Sequence, residues 1–100
     1  MSKIDAKNRI AIPNDLLSTL NTNFNSTLAL YVKRKQIFLD NPSIENYCLP
    51  CLGRITIGKN NRFIIPQMAR SIFNIHSGDE ISFYIFEGKL AFKRIFVAKK

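Results

Sequence analysis

The first half of this 100-residue chain repeats in its second half, and the shift that brings Asn8 onto Asn61 aligns them without a gap. The identical pairs are Ile4 and Ile57, Asn8 and Asn61, Arg9 and Arg62, Ile12 and Ile65, Pro13 and Pro66, Ser18 and Ser71, Asn21 and Asn74, and Tyr31 and Tyr84. Two copies are too few for a solenoid, which needs at least three repeats. A single unit of about 40 residues would bury too little surface to fold alone. The repeat therefore predicts two units that complete one core.

Each unit has the same predicted order of elements: two strands, a short helix and two further strands. In the second unit we predict strands and a helix from alternating apolar residues and turn signals, at 54–58, 62–65, 67–73 (the helix), 80–86 and 89–95. The corresponding ranges in the first unit are 2–5, 9–12, 14–20 (the helix), 27–32 and 36–39. Pro66 suits the start of a helix, where its missing N–H would be unpaired in any case. We expect one intertwined domain over 1–100, with repeat one at 1–40, a linker at 41–53 and repeat two at 54–96.

The charge balance limits the classes of partner. The chain has 15 Lys and Arg against 7 Asp and Glu, which gives a net charge of +8. A surface this basic favours binding to polyanions, namely DNA, RNA or an anionic membrane. The alternative is that the net charge serves only to keep the protein soluble. No apolar run is long enough to cross a bilayer, so no transmembrane helix is expected. Of the possible polyanions, double-stranded DNA is the predicted partner and a membrane is not. The N-terminal sequence MSKIDAKNR lacks the apolar core of a signal peptide, which predicts a cytoplasmic location.

Polar and cationic residues are concentrated just before the second strand of each unit, as KNR at 7–9 and KNNR at 59–62. Asn tolerates positive φ better than most residues, so both segments are predicted to be turns. Arg makes bidentate contacts with guanine or phosphate, and Asn can pair with adenine or phosphate. Twofold pairing of the units would bring both turns to one face, which favours a nucleic-acid-binding surface. The alternative is that the turns are polar only because they are exposed. The candidate DNA-binding residues are Lys7, Asn8, Arg9, Arg54, Lys59, Asn60, Asn61, Arg62 and Arg70.

The sequence IDAKNRIAIP at residues 4–13 resembles the AbrB/MazE/SpoVT family, whose pattern reads approximately V-D-x-x-G-R-V-x-I-P. Residues 57–95 look like a whole module of that family, with its Arg, its Ile-Pro, a helical Arg and a Gly-Asp before the last hairpin. The resemblance implies a mainly β protein with short helices, a swapped-hairpin β-barrel in which two β-β-α-β-β units form a pseudo-dimer. Both copies have Asn where the family usually has Gly, and Leu17 stands where the second copy has Arg70.

The resemblance also implies a function. It predicts a sequence-preferring, double-stranded DNA-binding transcription regulator. No catalytic constellation appears in the sequence, so an enzyme is not expected, and no cofactor is predicted. The alternative is an antitoxin of a toxin–antitoxin pair that also binds DNA; the basic residues Lys99 and Lys100 contrast with the acidic tail of MazE-type antitoxins and argue against a toxin partner. A binder of single strands or RNA is a third hypothesis, and self-association is left open. Residues 1–47 hold six basic and four acidic residues (+2), and residues 48–100 hold nine basic and three acidic residues (+6), so the second copy is predicted to dominate binding.

The remaining features carry weaker signals. Cys48 and Cys51 form a single CxxC, which supplies two thiolates where a structural zinc site has four. Two chains could pool such pairs, but reduced and idle cysteines are the default in the cytoplasm, so no metal site is predicted. The basic turn 33–35 is interpreted as a solvated turn, with phosphate contact as the alternative.

Overall fold

The computed structural model describes residues 2–18, 27–41 and 49–95. The strands are β1 (Ser2–Lys3), β2 (Arg9–Ala11), β3 (Thr27–Lys33), β4 (Gln36–Asp40), β5 (Cys51–Thr56), β6 (Arg62–Ile64), β7 (Glu80–Phe86) and β8 (Lys89–Arg94). The helices are α1 (Asn14–Leu17) and α2 (Gln67–Ile72), and a short 3-10 turn spans Lys59–Asn61. The protein is therefore mainly β with short helices, and the predicted order of elements is confirmed.

The strands form a six-stranded sheet and a separate two-stranded ribbon. The order in the sheet is β1-β7-β8-β4-β3-β5, every neighbouring pair is antiparallel, and the sheet curls into a half-barrel. The ribbon consists of β2 and β6, with Ile10 opposite Phe63. Both of these side chains are buried in the same apolar cluster as the inner face of the sheet, so the ribbon closes over the concave side.

Most of the strand pairing joins the first half of the chain to the second. Apart from the hairpins β3–β4 and β7–β8, each pair in the described ranges crosses between halves, namely β1–β7, β2–β6, β3–β5 and β4–β8. Two backbone hydrogen bonds repeat this relation at the ends of the ribbon. The N–H of Ile12 donates to the carbonyl of Asn61, and the N–H of Ile65 donates to the carbonyl of Asn8, each at 2.9 Å. The sequence repeat thus recurs in the hydrogen-bond pattern.

Alternation along the strands sorts side chains to the two faces of the sheet. The inner face and the ribbon share one buried cluster, which includes Ile4, Ile10, Leu28, Leu30, Ile37, Leu39, Ile55, Ile57, Phe63, Ile65, Ile81, Leu90 and Phe92. The outer face has a smaller cluster of Ala29, Tyr31, Phe38 and Ala91, with Leu49, Tyr84 and Phe86 packed against it. Both halves supply residues to each cluster, as the short length of the repeat predicts.

Strand β5 begins earlier than the sequence pattern predicts. It starts at Cys51, inside the segment predicted as a linker, because its first residues pair with the edge of β3. The register shifts between Leu30 and Tyr31, and this irregularity allows Leu52 to be buried at 4% exposure. Helix α1 ends at Leu17 with Ser18 as its C-cap, and residues 19–20 of the predicted helix lie outside the described residues.

Gly53 is fitted closely against the start of α2. Its φ is +136°, and a Cβ at this position would lie 2.9 Å from the Cβ of Pro66, closer than side-chain carbons approach. Gly88 also has positive φ, at +80°, but a Cβ there would meet nothing within 4 Å. Both glycines have positive φ, but only Gly53 has a close neighbour. Substituting each of them therefore distinguishes the cost of backbone strain from the cost of a steric clash.

We expect Gly53→Ala to lower the free energy of unfolding by about 2 to 4 kcal/mol, because strain and overpacking add. Gly88→Ala is the matched control and should cost about 1 kcal/mol, from backbone strain alone. Equilibrium unfolding in urea measures both values. Equal losses would show that Pro66 moves away from the added methyl group without cost.

Candidate nucleic-acid interface

The first basic turn is built around the carboxylate of Asp5. Its Oδ1 accepts hydrogen bonds from the backbone N–H groups of Lys7 and Arg9, both at 2.9 Å. Its Oδ2 accepts a hydrogen bond from Nε of Arg9 at 2.8 Å. Asn8 takes the left-handed conformation, with φ of 62°, which Asn adopts at modest cost. The carboxylate therefore fixes both the shape of the turn and the direction of the Arg9 side chain.

The second basic turn has the same backbone plan without a carboxylate of its own. The N–H of Gly58 donates to the carbonyl of Arg62 at 2.8 Å, as the N–H of Asp5 donates to the carbonyl of Arg9 at 3.0 Å. Asn60 and Asn61 both have φ of 59° and form the tight part of the turn. Because Gly58 has no side chain, Arg62 faces the Asp5 carboxylate instead, with Nη1 at 3.9 Å from Oδ2.

The ribbon brings the two turns into one surface. Arg9 lies opposite Ile64 and Ala11 lies opposite Arg62, so the turns lie at opposite ends of the ribbon, and their nearest residues, Asn8 and Asn61, are roughly 13 Å apart along it. Since the alternate residues Ile10 and Phe63 point into the core, both arginines point outward; their side chains are 37% and 36% exposed. We call this outward surface of β2 and β6, with the turns at 6–8 and 59–61, the ribbon face.

Side-chain contacts also tie the second turn to the first half. Nδ2 of Asn61 donates to Oδ1 of Asn14 at 2.7 Å, at the start of α1. Lys7, Lys59 and Asn60 are exposed, whereas Asn8 and Asn61 are half-buried. Of the nine residues predicted to bind DNA, seven therefore belong to the ribbon face: Lys7, Asn8, Arg9, Lys59, Asn60, Asn61 and Arg62.

Arg70 lies beside one end of the ribbon face. Its Nε donates to the carbonyl of Ile65 at 3.0 Å, and the N–H of Ile65 donates to the carbonyl of Asn8. Arg70 is half-buried, and helix α2 places it one turn beyond Pro66. The counterpart in the first half, Leu17, packs against the core instead. The second half therefore supplies a cation at a position where the first half supplies packing.

Arg54 is separated from the other predicted residues. It lies opposite Ala29 in the β3–β5 pairing, and Ala29 belongs to the buried cluster on the outer face of the sheet. The ribbon covers the inner face, so the exposed Arg54 side chain lies on the other side of the sheet. Arg54 is one of the residues predicted from the sequence to bind DNA, but strand alternation directs it away from the ribbon face.

Asp5 is the functional candidate that sequence reasoning missed. Its signal was an Asp four residues before Arg9, a spacing that a tight turn converts into a side-chain contact. Hydrogen bonding from the backbone N–H of Arg9, followed by that from its guanidinium, lowers the pKa of Asp5 below its ordinary value of 3.8. The carboxylate therefore stays ionised at neutral pH and holds guanidinium groups from both halves of the chain.

The basic turn at 33–35 has an internal partner. Nζ of Lys33 lies 3.0 Å from Oε1 of Glu87, and Nη1 of Arg34 lies 3.5 Å from Oε2 of the same residue. These ion pairs link the tips of the two hairpins. Exposed pairs of this kind contribute little to stability, but they reduce the positive charge that this turn presents.

Three further features of the chain concern metal ions, thiols and the membrane. The described residues contain no group of three or more His, Cys, Asp or Glu suited to holding a metal ion. Cys51 is exposed with a free thiol, and Cys48 lies outside the described residues, as do Lys99 and Lys100. No helix within the described ranges has the length and apolar character needed to span a bilayer.

Comparisons of the chain with protein-family models, with curated proteins and with solved structures gave no match. The chemistry of the ribbon face is therefore inferred from its own residues.

We expect Asp5→Asn to be less stable than the wild type at neutral pH, because the amide cannot replace an anionic acceptor for Arg9. The pKa of Asp5 is lower in the folded state than in the unfolded state. The carboxylate therefore stabilises the folded protein at pH values above the unfolded-state pKa, and this stabilisation is lost as the pH falls through the folded-state pKa. The difference between the two proteins should shrink as pH falls. Urea unfolding at a series of pH values from neutral to strongly acidic measures it.

The control is Asp15→Asn, which removes the same charge from an exposed residue in the first turn of α1. A stability difference for Asp5→Asn that stays constant down to strongly acidic pH would contradict the assigned role of the carboxylate.

Proposed function

We propose that this protein is a double-stranded DNA-binding transcription regulator whose ribbon face contacts the DNA. The observation that carries the proposal is that Arg9 and Arg62, from opposite halves of the chain, point outward from a single two-stranded ribbon. The net charge of +8 supplies the long-range attraction to a polyanion. The cytoplasmic location predicted from the N-terminal sequence is part of the same proposal, because a regulator acts where the DNA is.

The dimensions of the ribbon suit the major groove. A groove about 12 Å wide admits a two-stranded β-ribbon, and the strands of such a ribbon lie about 4.8 Å apart. In this arrangement Arg9 and Arg62 would read base edges or phosphates, while Lys7 and Lys59 at the ends of the ribbon would contact phosphates. The asparagines at the turns could pair with adenine or phosphate, although their left-handed backbone already gives them a structural role.

Asp5 would have two opposing effects on binding. It holds Arg9 in one direction before DNA arrives, which reduces the conformational entropy lost on binding. Its negative charge also repels phosphate and competes for the same guanidinium group. Since Nε of Arg9 is already bonded to the carboxylate, the two terminal nitrogens are the donors that remain for DNA.

We further propose that the fold is the swapped-hairpin β-barrel of the AbrB/MazE/SpoVT family, with the two β-β-α-β-β units as a pseudo-dimer. The support is the cross-half pairing, in which the first strand of each unit lies beside the third strand of the other. The paired ribbon β2–β6, with its reciprocal bonds from Ile12 and Ile65, further supports this proposal.

The second half should contribute more to binding than the first. Arg62 lies farther from the Asp5 carboxylate than Arg9 does, at 3.9 Å against 2.8 Å, so less of its charge is neutralised. Arg70 adds a cation where the first half has Leu17. The uneven charges of +2 for residues 1–47 and +6 for residues 48–100 favour the same half.

We expect Arg62→Ala and Arg70→Ala each to weaken binding to duplex DNA by roughly tenfold or more, because Arg62 is a cation of the ribbon face and Arg70 is a cation beside its end. Arg9→Ala should weaken it less. Arg54→Ala is the matched control: it removes the same charge from the other side of the sheet and should change the affinity little. Fluorescence anisotropy with a duplex enriched from a random-sequence pool measures all four variants.

The same assay in increasing salt tests the electrostatic basis of the interaction. The affinity of the wild type should fall steeply with salt concentration, and the slope should be shallower for Arg62→Ala. Absence of salt-sensitive duplex binding by the wild type would exclude the function. An Arg54→Ala loss as large as that of Arg62→Ala would exclude the ribbon face as its site, and tighter binding to RNA or single strands than to duplex would favour a different partner.

A further inference from the structure

The outer edge of β7 is covered over only part of its length. Strand β1 pairs with it at Glu80 and Ile81 alone, although β7 continues to Phe86. The corresponding edge of β3 in the first half is covered by β5 from Thr27 to Tyr31, and the N–H of Val32 donates to the carbonyl of Pro50 at 3.1 Å. Within the described residues, no strand lies along β7 beyond Ile81 on that side.

The hydrogen bonds at the start of β7 show which backbone groups face this edge. The carbonyl of Asp79 accepts from the N–H of Ile4 on the β1 side, and the carbonyl of Glu80 accepts from the N–H of Ile95 on the β8 side. Because the two groups of one residue point to the same side of an antiparallel strand and successive residues alternate, Phe83 and Ile85 direct theirs toward the open edge. The counterpart of Ile85 is Val32, whose N–H is bonded to Pro50.

The side chains at this edge are also incompletely covered. Ile85 is 48% exposed and Phe83 is half-buried, whereas Leu30, the counterpart of Phe83, is fully buried. In the first half the covering strand brings Leu52 into the core at 4% exposure. Open backbone groups and exposed apolar side chains therefore coincide at one place, as they do where a strand is missing from a sheet.

We propose that the open edge of β7 pairs with the same edge of a second copy of this chain, antiparallel and about a twofold axis at Tyr84. This axis places Phe83 of each copy opposite Ile85 of the other. The open N–H and carbonyl groups of these two residues would then hydrogen-bond to each other across the axis. Segment 82–86, SFYIF, contains no charge, Pro or Gly, so the pairing brings no like charges together and suits a strand. The two six-stranded sheets would continue as one.

The neighbouring elements favour this register, because it is the one that uses the whole of the open segment. Strand β1 already occupies the edge at Ile81, and β7 ends at the turn formed by Glu87 and Gly88. Among the described residues, the part of this edge that remains open is segment 82–86, and Tyr84 is its centre. An interface this short is small, so we expect a dissociation constant on the order of micromolar or weaker. The pairing does not depend on DNA and is measured in its absence.

Sedimentation velocity of the full chain over a range of concentrations tests the proposal. The wild type should form dimers, and Ile85→Lys should weaken the dimer by roughly a hundredfold, because twofold symmetry places the substitution in the interface twice. Ile72→Lys is the matched control, since Ile72 is 61% exposed and belongs to α2 rather than to β7, and it should leave the dimer unchanged. Circular dichroism checks that each variant is folded.

Hydrogen exchange of the wild type adds a readout that needs no substitution. The amides of Phe83 and Ile85 should exchange more slowly as the protein concentration rises. A wild type that stays monomeric to hundreds of micromolar, or exchange at these amides that does not depend on concentration, would overturn the proposal. It would also be overturned if Ile72→Lys dissociated the dimer while Ile85→Lys left it intact.

Discussion

The pairing of β2 with β6 is the interaction on which the rest of the structure depends. It joins the halves of the chain through backbone bonds at both ends, from Ile12 to Asn61 and from Ile65 to Asn8, and it buries Ile10 against Phe63 between them. Each half also supplies an edge strand to the hairpin of the other, so neither half closes a core alone. Because alternate residues of the ribbon point outward, the pairing that closes the core also presents Arg9 and Arg62 together. Packing and the candidate site therefore have one cause.

The repeat is symmetric in its backbone and asymmetric in its chemistry. Asp5 corresponds to Gly58, so one carboxylate serves arginines from both halves, at 2.8 Å from Arg9 and 3.9 Å from Arg62. Leu17 packs on the core where Arg70 bonds to the backbone at the end of the ribbon. Strand β5 covers the edge of β3, whereas β1 covers only the start of the edge of β7. The features that the two halves share build the fold. The differences between the halves distinguish the two ends of the ribbon face and the two edges of the sheet.

The repeat and strand alternation predicted the order of elements and most of their bounds, because both are local properties of the sequence. Other features depend on which strands meet. The start of β5 at Cys51 follows from pairing with β3, and Leu52 is buried only because of that pairing. Arg54 was predicted to bind DNA together with the turns, but the face it occupies depends on where the ribbon packs. The contact of Asp5 with Arg62 crosses between halves and has no local signal. Binding to DNA stays a prediction, supported by the ribbon face and the net charge.

Native-state hydrogen exchange in increasing denaturant tests the shared core most directly. The relevant amides are those of Ile12 and Ile65, which donate across the ribbon to Asn61 and Asn8. If neither half is stable without the other, both amides should exchange with the same free energy, equal to that of global unfolding. Exchange of one amide at a clearly lower free energy, while the other stays protected, would show that the halves open independently and would contradict the account.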